Sequence, residues 1–294
     1  MTWPLNCVRR HEPLANHTSF RIGGPAEWFA EPSTLDELVD ALREARALGL
    51  PVSVIGGGTN TLAADRGLRG LVMHLGAGFR MVHELSRPDD PDARVRCGAS
   101  VLTQRLVVLA TQRGWGDLEA LAGLPGQVGG AVTMNAQEIG RFVRRIELVT
   151  LEGRVRVIER AELHFNYRYA ALEPGIITAV DLAFKKVPPA EAYELIRKAL
   201  TYRNTTQEVR LPSAGCAFKN PSGRSAGRLI DEAGLKGARI GDAQVSVRHA
   251  NFIVNTGQAT CDDVLSLMEH VRQRVAERFA IHLEPEVRLI GERR

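Results

Sequence analysis

Residues 211–221 read Leu-Pro-Ser-Ala-Gly-Cys-Ala-Phe-Lys-Asn-Pro. They set the Cys216 thiol between a glycine and a small residue, with the Lys219 ammonium and the Asn220 carboxamide close behind. That arrangement suits a reactive group meeting a small polar ligand. A thiol ionises near about pH 8.5, so at neutral pH it can donate a proton as well as act as a nucleophile. The sequence identifies no partnered base, which favours the donor role. A tight turn around an inert buried cysteine is the alternative. A second candidate lies in Phe165-Asn166-Tyr167-Arg168-Tyr169, where a guanidinium sits among aromatics. Arginine pairs carboxylates through two parallel hydrogen bonds; a surface arginine covering an aromatic ring reads equally well from this stretch alone. Third, Glu284 and Glu286 fall on one face of a period-two segment, with Val287 and Leu289 on the other. A solvated edge accounts for at least one of these carboxylates.

Two glycine-rich stretches could hold phosphate. The first is Gly56-Gly57-Gly58-Thr59-Asn60, directly after the apolar run Val52 to Ile55. The second is Gly123-Leu124-Pro125-Gly126-Gln127-Val128-Gly129-Gly130-Ala131, continuing to Asn135. Successive glycines let backbone N–H groups converge and let a ligand approach the main chain. Neither stretch matches the Rossmann or phosphate-loop patterns. Each alone also reads as a turn between closely packed elements. As a pair they fit opposite sides of a pyrophosphate.

Punctuation marks the elements that must carry these residues. Ser33 or Thr34 caps a helix that ends at Gly49 and Pro51, with Leu38, Ala41, Leu42 and Ala45 on one face. Val52 to Ile55 follows as a short buried strand. Arg94 to Cys97 reads as a strand, Val101 to Arg113 as a helix stopped by Gly114, and Ile146 to Ile158 as a hairpin turning at Glu152-Gly153. Beyond Pro188-Pro189 come a helix over Ala190 to Tyr202 and another over Ser225 to Ala233. Thr260 caps a helix to Phe279 that holds Val264, Leu265, Met268, Val271 and Val275 inside. Leu283 to Ile290 closes as a strand. Helices leading into strands that stop at glycines indicate layered α and β structure.

Composition removes several function classes. The chain has 294 residues, enough for two or three domains, with net charge +4 and 5% aromatics. Without a Lys/Arg block, that charge argues against nucleic acid and fits a small anionic ligand. No apolar run is long enough for a membrane span, and Met1 to Cys7 lacks the apolar core of a secretory signal. Cys7, Cys97, Cys216 and Cys261 form no Cys-x-x-Cys pair and lie at no metal-ligand spacing from histidine. Neither a metal site nor a disulfide framework is expected, and reduced thiols fit a cytoplasmic location.

Taken in order, these stretches resemble the UDP-N-acetylenolpyruvoylglucosamine reductase family. The pieces are Thr18-Ser19-Phe20-Arg21-Ile22-Gly23-Gly24-Pro25-Ala26, both glycine loops through Met134-Asn135-Ala136, Tyr167-Arg168 and the cysteine loop. They continue with Ser225-Ala226-Gly227-Arg228-Leu229-Ile230-Asp231, Gly234-Leu235-Lys236-Gly237, His249-Ala250-Asn251-Phe252 and Leu283-Glu284-Pro285-Glu286-Val287-Arg288. The resemblance implies an α+β fold: two FAD-binding subdomains of the vanillyl-alcohol-oxidase type, at 1–66 and 67–188, then an α+β substrate-binding domain at 189–294. The last strand would return to the flavin cleft. The chain is similar to the shorter form of the family, which lacks an inserted tyrosine-bearing loop.

Activity and roles follow from the resemblance by position. It implies FAD as cofactor, NADPH as hydride source, and reduction of the enolpyruvyl group of UDP-N-acetylglucosamine enolpyruvate in peptidoglycan precursor synthesis. The catalytic set falls on Arg168, Cys216 and Glu286. The cofactor set falls on Gly56, Gly57, Gly58, Thr59, Asn60, Gly123, Pro125, Gly126, Gly129, Gly130, Ala131 and Asn135. Substrate contacts fall on Tyr167, Arg203, Gln207, Lys219, Asn220 and His249, with a monomer favoured. The sequence departs from the family in three places. Cys216 stands where a serine donor is usual, Gln137-Glu138-Ile139 replaces Gly-Ala-Tyr, and Glu208 replaces a proline after Gln207. Two rival readings remain open: an oxidase of the same flavin fold, and a non-catalytic nucleotide-binding module.

Overall fold

A computed structural model describes residues 3–208 and 210–291. Met1 and Thr2, part of the N-terminal stretch read above, lie outside the described residues. The chain begins β1 (Val8–Pro13), β2 (Pro25–Ala30), α1 (Leu35–Ala47), β3 (Val52–Val54), β4 (Thr61–Ala63), β5 (Leu68–Met73), β6 (Val82–Glu84), β7 (Asp92–Gly98) and α2 (Thr103–Arg113). It continues α3 (Val128–Thr133), β8 (Val143–Thr150), β9 (Val155–Glu159), β10 (His164–Asn166), β11 (Tyr169–Ala171), β12 (Gly175–Lys185) and α4 (Pro189–Thr206). It ends β13 (Ser213–Cys216), α5 (Ala226–Glu232), β14 (Arg239–Ile240), β15 (Ala243–Val245), β16 (Phe252–Asn255), α6 (Cys261–Phe279) and β17 (Arg288–Ile290).

Contacts group the chain into two compact units. One comprises 1–9, 29–57 and 70–203; the other comprises 10–28, 58–69 and 204–294. In the first, an antiparallel sheet runs β6-β7-β12-β8-β9. β12 is its centre because it reads almost wholly apolar, as a strand buried on both faces must. Phe184 on this strand stacks on Trp115 at 5.6 Å and meets Phe142 at 5.2 Å. Where β12 does carry charge, Asp181 shares Arg96 with Glu147, at 2.9 and 2.6 Å. One guanidinium thereby ties three adjacent strands.

Local punctuation behaves as the sequence predicts. Thr34 and Glu37 form a reciprocal capping box at α1, and Leu38, Ala41, Leu42 and Ala45 are its buried face. Gly114 ends α2 in the left-handed region, at φ 68°. The β8–β9 hairpin pairs Ile146 with Ile158 and turns through Gly153 at φ 80°. Two expectations need correction. The run after α1 is a three-residue strand, β3, and not wholly buried: its Val54 is 42% exposed. It pairs in parallel with β5, Val52 opposite Leu71.

The second unit has its own core, with Phe20, Ile22, Leu62, Phe218, Leu229, Ile253, Val264 and Leu283 in one cluster. Its sheet runs β13-β16-β15-β14. Thr260 and Asp263 box the start of α6, and Asp65 adds a second cap by accepting the Cys261 N–H at 2.8 Å. Along α6 the apolar stripe uses Leu267, whereas Leu265 is only partly buried. The second correction lies at the end of the chain. Leu283 to Ile290 is not a continuous strand. Only Arg288–Ile290 is regular, and it pairs in parallel with β4, Leu289 opposite Leu62. Before it, Pro285 makes an isolated bridge to Phe218. Proline has no N–H to extend a ladder there.

Candidate active site

In the first unit Gly56 and Gly57, the start of the first glycine loop, lie beside the second loop. A Cβ added to Gly57 would come 2.9 Å from the Gly126 Cα, and one on Gly56 would come 3.5 Å from the Gln127 side-chain oxygen. A Cβ on Gly130 would meet nothing within 4 Å. The missing Gly57 side chain lets the two segments close on each other, and the Gly130 main chain faces open space. Two other glycines act differently. Gly129 donates its N–H to Ala99 and packs on the Ala99 methyl. Gly123, at φ 73°, donates to the Gln104 side chain and packs under Arg203. These two shape the loop for its own packing. The residues present fit a nucleotide cofactor held by backbone amides from Gly56, Gly57, Gly126 and Gly130.

Tyr167 and Arg168 are the two turn residues of the β10–β11 hairpin, closed by the Asn166–Tyr169 pair. Arg168 has φ 57°, a left-handed conformation that costs a non-glycine residue about 1 kcal/mol. Its guanidinium lies 5.7 Å from the Tyr167 ring centre. The hairpin is pinned by Asn135, whose carboxamide donates to the Asn166 carbonyl at 2.9 Å and accepts the Gly140 N–H at 3.0 Å. Gly140 in turn leaves room for the Phe165 ring. Asn135, Gln137 and Glu138 are all left-handed, at φ 42°, 51° and 57°. The Gln137-Glu138 departure therefore sits on strained backbone beside the arginine hairpin.

In the second unit β13 pairs with β16, but register breaks between Ser213 and Cys216. Gly215 sits inside this break at φ 73°. The bulge re-aims the side chain that follows, Cys216. Immediately after it, Ala217 accepts the Glu286 N–H at 2.9 Å, so the thiol and the carboxylate belong to neighbouring segments. Asn60 donates to the Glu286 carbonyl at 3.0 Å and brings the end of the first glycine loop to the same place. Gly58, at φ 63°, packs its bare Cα against His17 and Thr18, and Ser19 bonds both Gly58 and Ser213. Of the two C-terminal carboxylates, Glu284 pairs with Lys219 at 3.2 Å and stays exposed. Glu286 is half-buried.

Two other thiols have raised proton affinity. Cys97 is fully buried, which pushes its thiol up to about 12. Burial also raises Cys7, helped by Glu37. Asn220 accepts the Ala226 N–H at the start of α5. His249 Nδ1 faces the Asn251 N–H at 3.3 Å, and its ring meets Phe252 edge-on. Burial holds its proton affinity below the ordinary value, a backbone bond opposes this, and Lys236 adds to it. Arg203 donates to the Ala120 carbonyl in the first unit; the Gln207 carbonyl accepts from Arg248 in the second. Arg168 thus belongs to one unit, and Cys216 and Glu286 to the other. Sequence reasoning gave Asn251 no role, yet it bonds the cysteine segment directly. Its signals were membership of the His249–Phe252 motif piece and a polar residue within an apolar run, Ala250 to Val254. Among the described residues no cluster of three metal-ligating side chains occurs, and no helix is long and apolar enough to cross a membrane.

Known proteins match both the glycine-loop and the cysteine-loop parts of the chain. An FAD-binding domain model matches residues 26–159, and the model of the UDP-N-acetylenolpyruvoylglucosamine reductase C-terminal domain matches residues 207–290. The chain is 41% identical to UDP-N-acetylenolpyruvoylglucosamine reductase 2 of Symbiobacterium thermophilum, over 97% of this chain and 92% of that one. It is 42% identical to the reductase of Syntrophotalea carbinolica, over 97% and 95%. The crystal structure of the Thermus caldophilus reductase superposes with a TM-score of 0.80 at 40% identity, covering 97% of this chain and 99% of that one. With an α+β fold, a cofactor-binding region and a C-terminal domain all matched, the chain belongs to the UDP-N-acetylenolpyruvoylglucosamine reductase family of FAD-dependent oxidoreductases.

Proposed function

We propose that this protein uses NADPH to reduce the enolpyruvyl group of UDP-N-acetylglucosamine enolpyruvate, giving UDP-N-acetylmuramate for peptidoglycan in the cytoplasm. The observation that carries this reading is the Cys216–Ala217–Glu286 junction, an acid and a carboxylate on hydrogen-bonded neighbouring segments. In this reading residues 1–66 and 67–188 hold the cofactor and 189–294 hold the sugar nucleotide. FAD, held at the glycine loops, would supply the hydride-transfer chemistry between NADPH and the terminal vinyl carbon. The chain's own residues handle charge and protons. Arg168 holds the substrate carboxylate and stabilises the charge that builds on it, the kind of term that dominates many enzymes. Glu286 polarises the same carboxylate. Cys216 gives its Sγ proton to the adjacent carbon, a step worth about 10²–10⁴-fold. Tyr167, Lys219, Asn220, His249, Arg203 and Gln207 are the proposed contacts to the rest of the substrate. Gly56, Gly57, Gly126 and Gly130 would hold the cofactor diphosphate, with Thr59, Asn60, Pro125, Ala131 and Asn135 around them.

The test is direct. Purified protein should carry a flavin spectrum that NADPH bleaches and the enolpyruvyl sugar nucleotide restores under anaerobic conditions. Fast recovery with dioxygen and indifference to the sugar nucleotide would identify an oxidase instead. Ligand binding without NADPH consumption would identify a binding module.

A further inference from the structure

Asn251 is 3% exposed and sits on the turn leading into β16. Its Oδ1 accepts the Phe218 N–H at 3.0 Å, and its Nδ2 donates to the Phe218 carbonyl at 2.8 Å. Its backbone carbonyl accepts the Ala217 N–H at 2.7 Å. A single residue thus makes three hydrogen bonds to the two residues that follow Cys216. On the other side of Cys216 the ladder is broken by the bulge at Gly215, whose added Cβ would meet nothing within 4 Å. Ser213 keeps its place opposite Val254 and Cys216 opposite Phe252, but the two residues between them lose register. On the C-terminal side of Cys216 the backbone is held by Asn251. The same clamp reaches the carboxylate, because the Ala217 carbonyl accepts the Glu286 N–H.

We propose that Asn251 is a positioning residue, whose carboxamide fixes the Ala217–Phe218 backbone and so aims the Cys216 thiol and the Glu286 carboxyl for the second half of the reduction. The proposal rests on the reductase reading above. A carboxamide suits the task because one planar group offers a donor and an acceptor side by side. A carboxylate offers acceptors only. Placement matters because a misplacement of about 1 Å costs about 10²-fold in rate.

Asn251→Asp tests this with almost no change of shape. Ionised, the aspartate still accepts from the Phe218 N–H but sets a second acceptor against the Phe218 carbonyl. Protonated, its O–H donates to that carbonyl and restores the clamp. Burial of this position favours the protonated form. The chargeable groups on elements packed around it are His249 on its own turn, Cys216, the Lys219–Glu284 pair, Glu286, and Arg228 on α5. Both half-reactions are followed by stopped flow on flavin-loaded protein, as the ratio of variant to wild type at each pH. Flavin reduction by NADPH should be unchanged. Reoxidation by the enolpyruvyl sugar nucleotide should fall about 10²-fold at alkaline pH and recover towards wild type at mildly acidic pH. Asn251→Ala should lose reoxidation without the acid recovery. If that variant does not fold, the aspartate series alone decides. Reoxidation equal to wild type at every pH, or equal losses in both half-reactions, would overturn the positioning role. Wild-type flavin that the sugar nucleotide never reoxidises would overturn the reductase reading itself, whatever the variants do.

Discussion

Gly57 and Gly215 do opposite things. Gly57 faces Gly126 so closely that a methyl group has no room, and its value lies in letting the two loops close on each other. Gly215 has open space around it but a left-handed φ of 73°, and its value lies in turning the side chain that comes next. The glycine loops work by omitting side chains. The cysteine loop works by holding the backbone so that one side chain points. The first should fail when atoms are added, the second when atoms are removed.

The sharpest test of the first half is Gly57→Val. The added side chain forces the loops apart, and the expected product is colourless protein; a bound flavin spectrum after this change would break the contrast. Next in size is Cys216→Ala, which should leave NADPH bleaching intact while slowing reoxidation by about 10²–10⁴-fold. Near-normal turnover would remove the thiol from the chemistry. Cys216→Ser should keep turnover, because a hydroxyl also carries a transferable hydrogen. A dead serine variant in a steady-state assay would argue for covalent thiol chemistry.

Two smaller effects concern stability. Burial keeps His249 neutral in the folded chain, with its proton affinity below the ordinary 6.5. The unfolded chain then takes up the proton first as pH falls, so stability present above about pH 6.5 is lost on acidification. His249→Asn retains an acceptor for the Asn251 N–H. The acid-induced drop in Tm should shrink, and an unchanged Tm profile would dismiss the histidine as its source. Least of all, Gln137→Gly relieves a strained φ of 51° and should stabilise by about 0.5–1 kcal/mol after glycine's entropic cost. The denaturant midpoint at constant slope measures it.

What the sequence disclosed was local. The Thr34 and Thr260 caps, the Gly114 stop and the Gly153 turn each need only residues a few positions apart, and each formed where expected. The glycine loops and the cysteine loop were legible as residue types before any geometry. Three things were not legible. The Leu283–Ile290 segment looked like one strand because its alternation is regular, but its partners are Phe218 and β4, far back in the chain. Asn251 looked like one polar residue in a buried run, since its partner Phe218 is remote in sequence. The hold of Asn135 on the arginine hairpin, through Asn166 and Gly140, was the third. Alternation and composition carry no information about such distant pairings.

The interleaving of segments has a consequence for biosynthesis. Residues 10–28 and 58–69 leave the ribosome early but belong with 204–294, and β4 finds its parallel partner only in Arg288–Ile290. The segments of the glycine-loop unit are all translated by Arg203. The other unit must wait for Arg288–Ile290, with Phe20, Ile22 and Leu62 lacking their later core partners meanwhile. Nascent chains stalled before that segment would therefore present those side chains to chaperones, and loss of β17 would cost far more than its three residues imply.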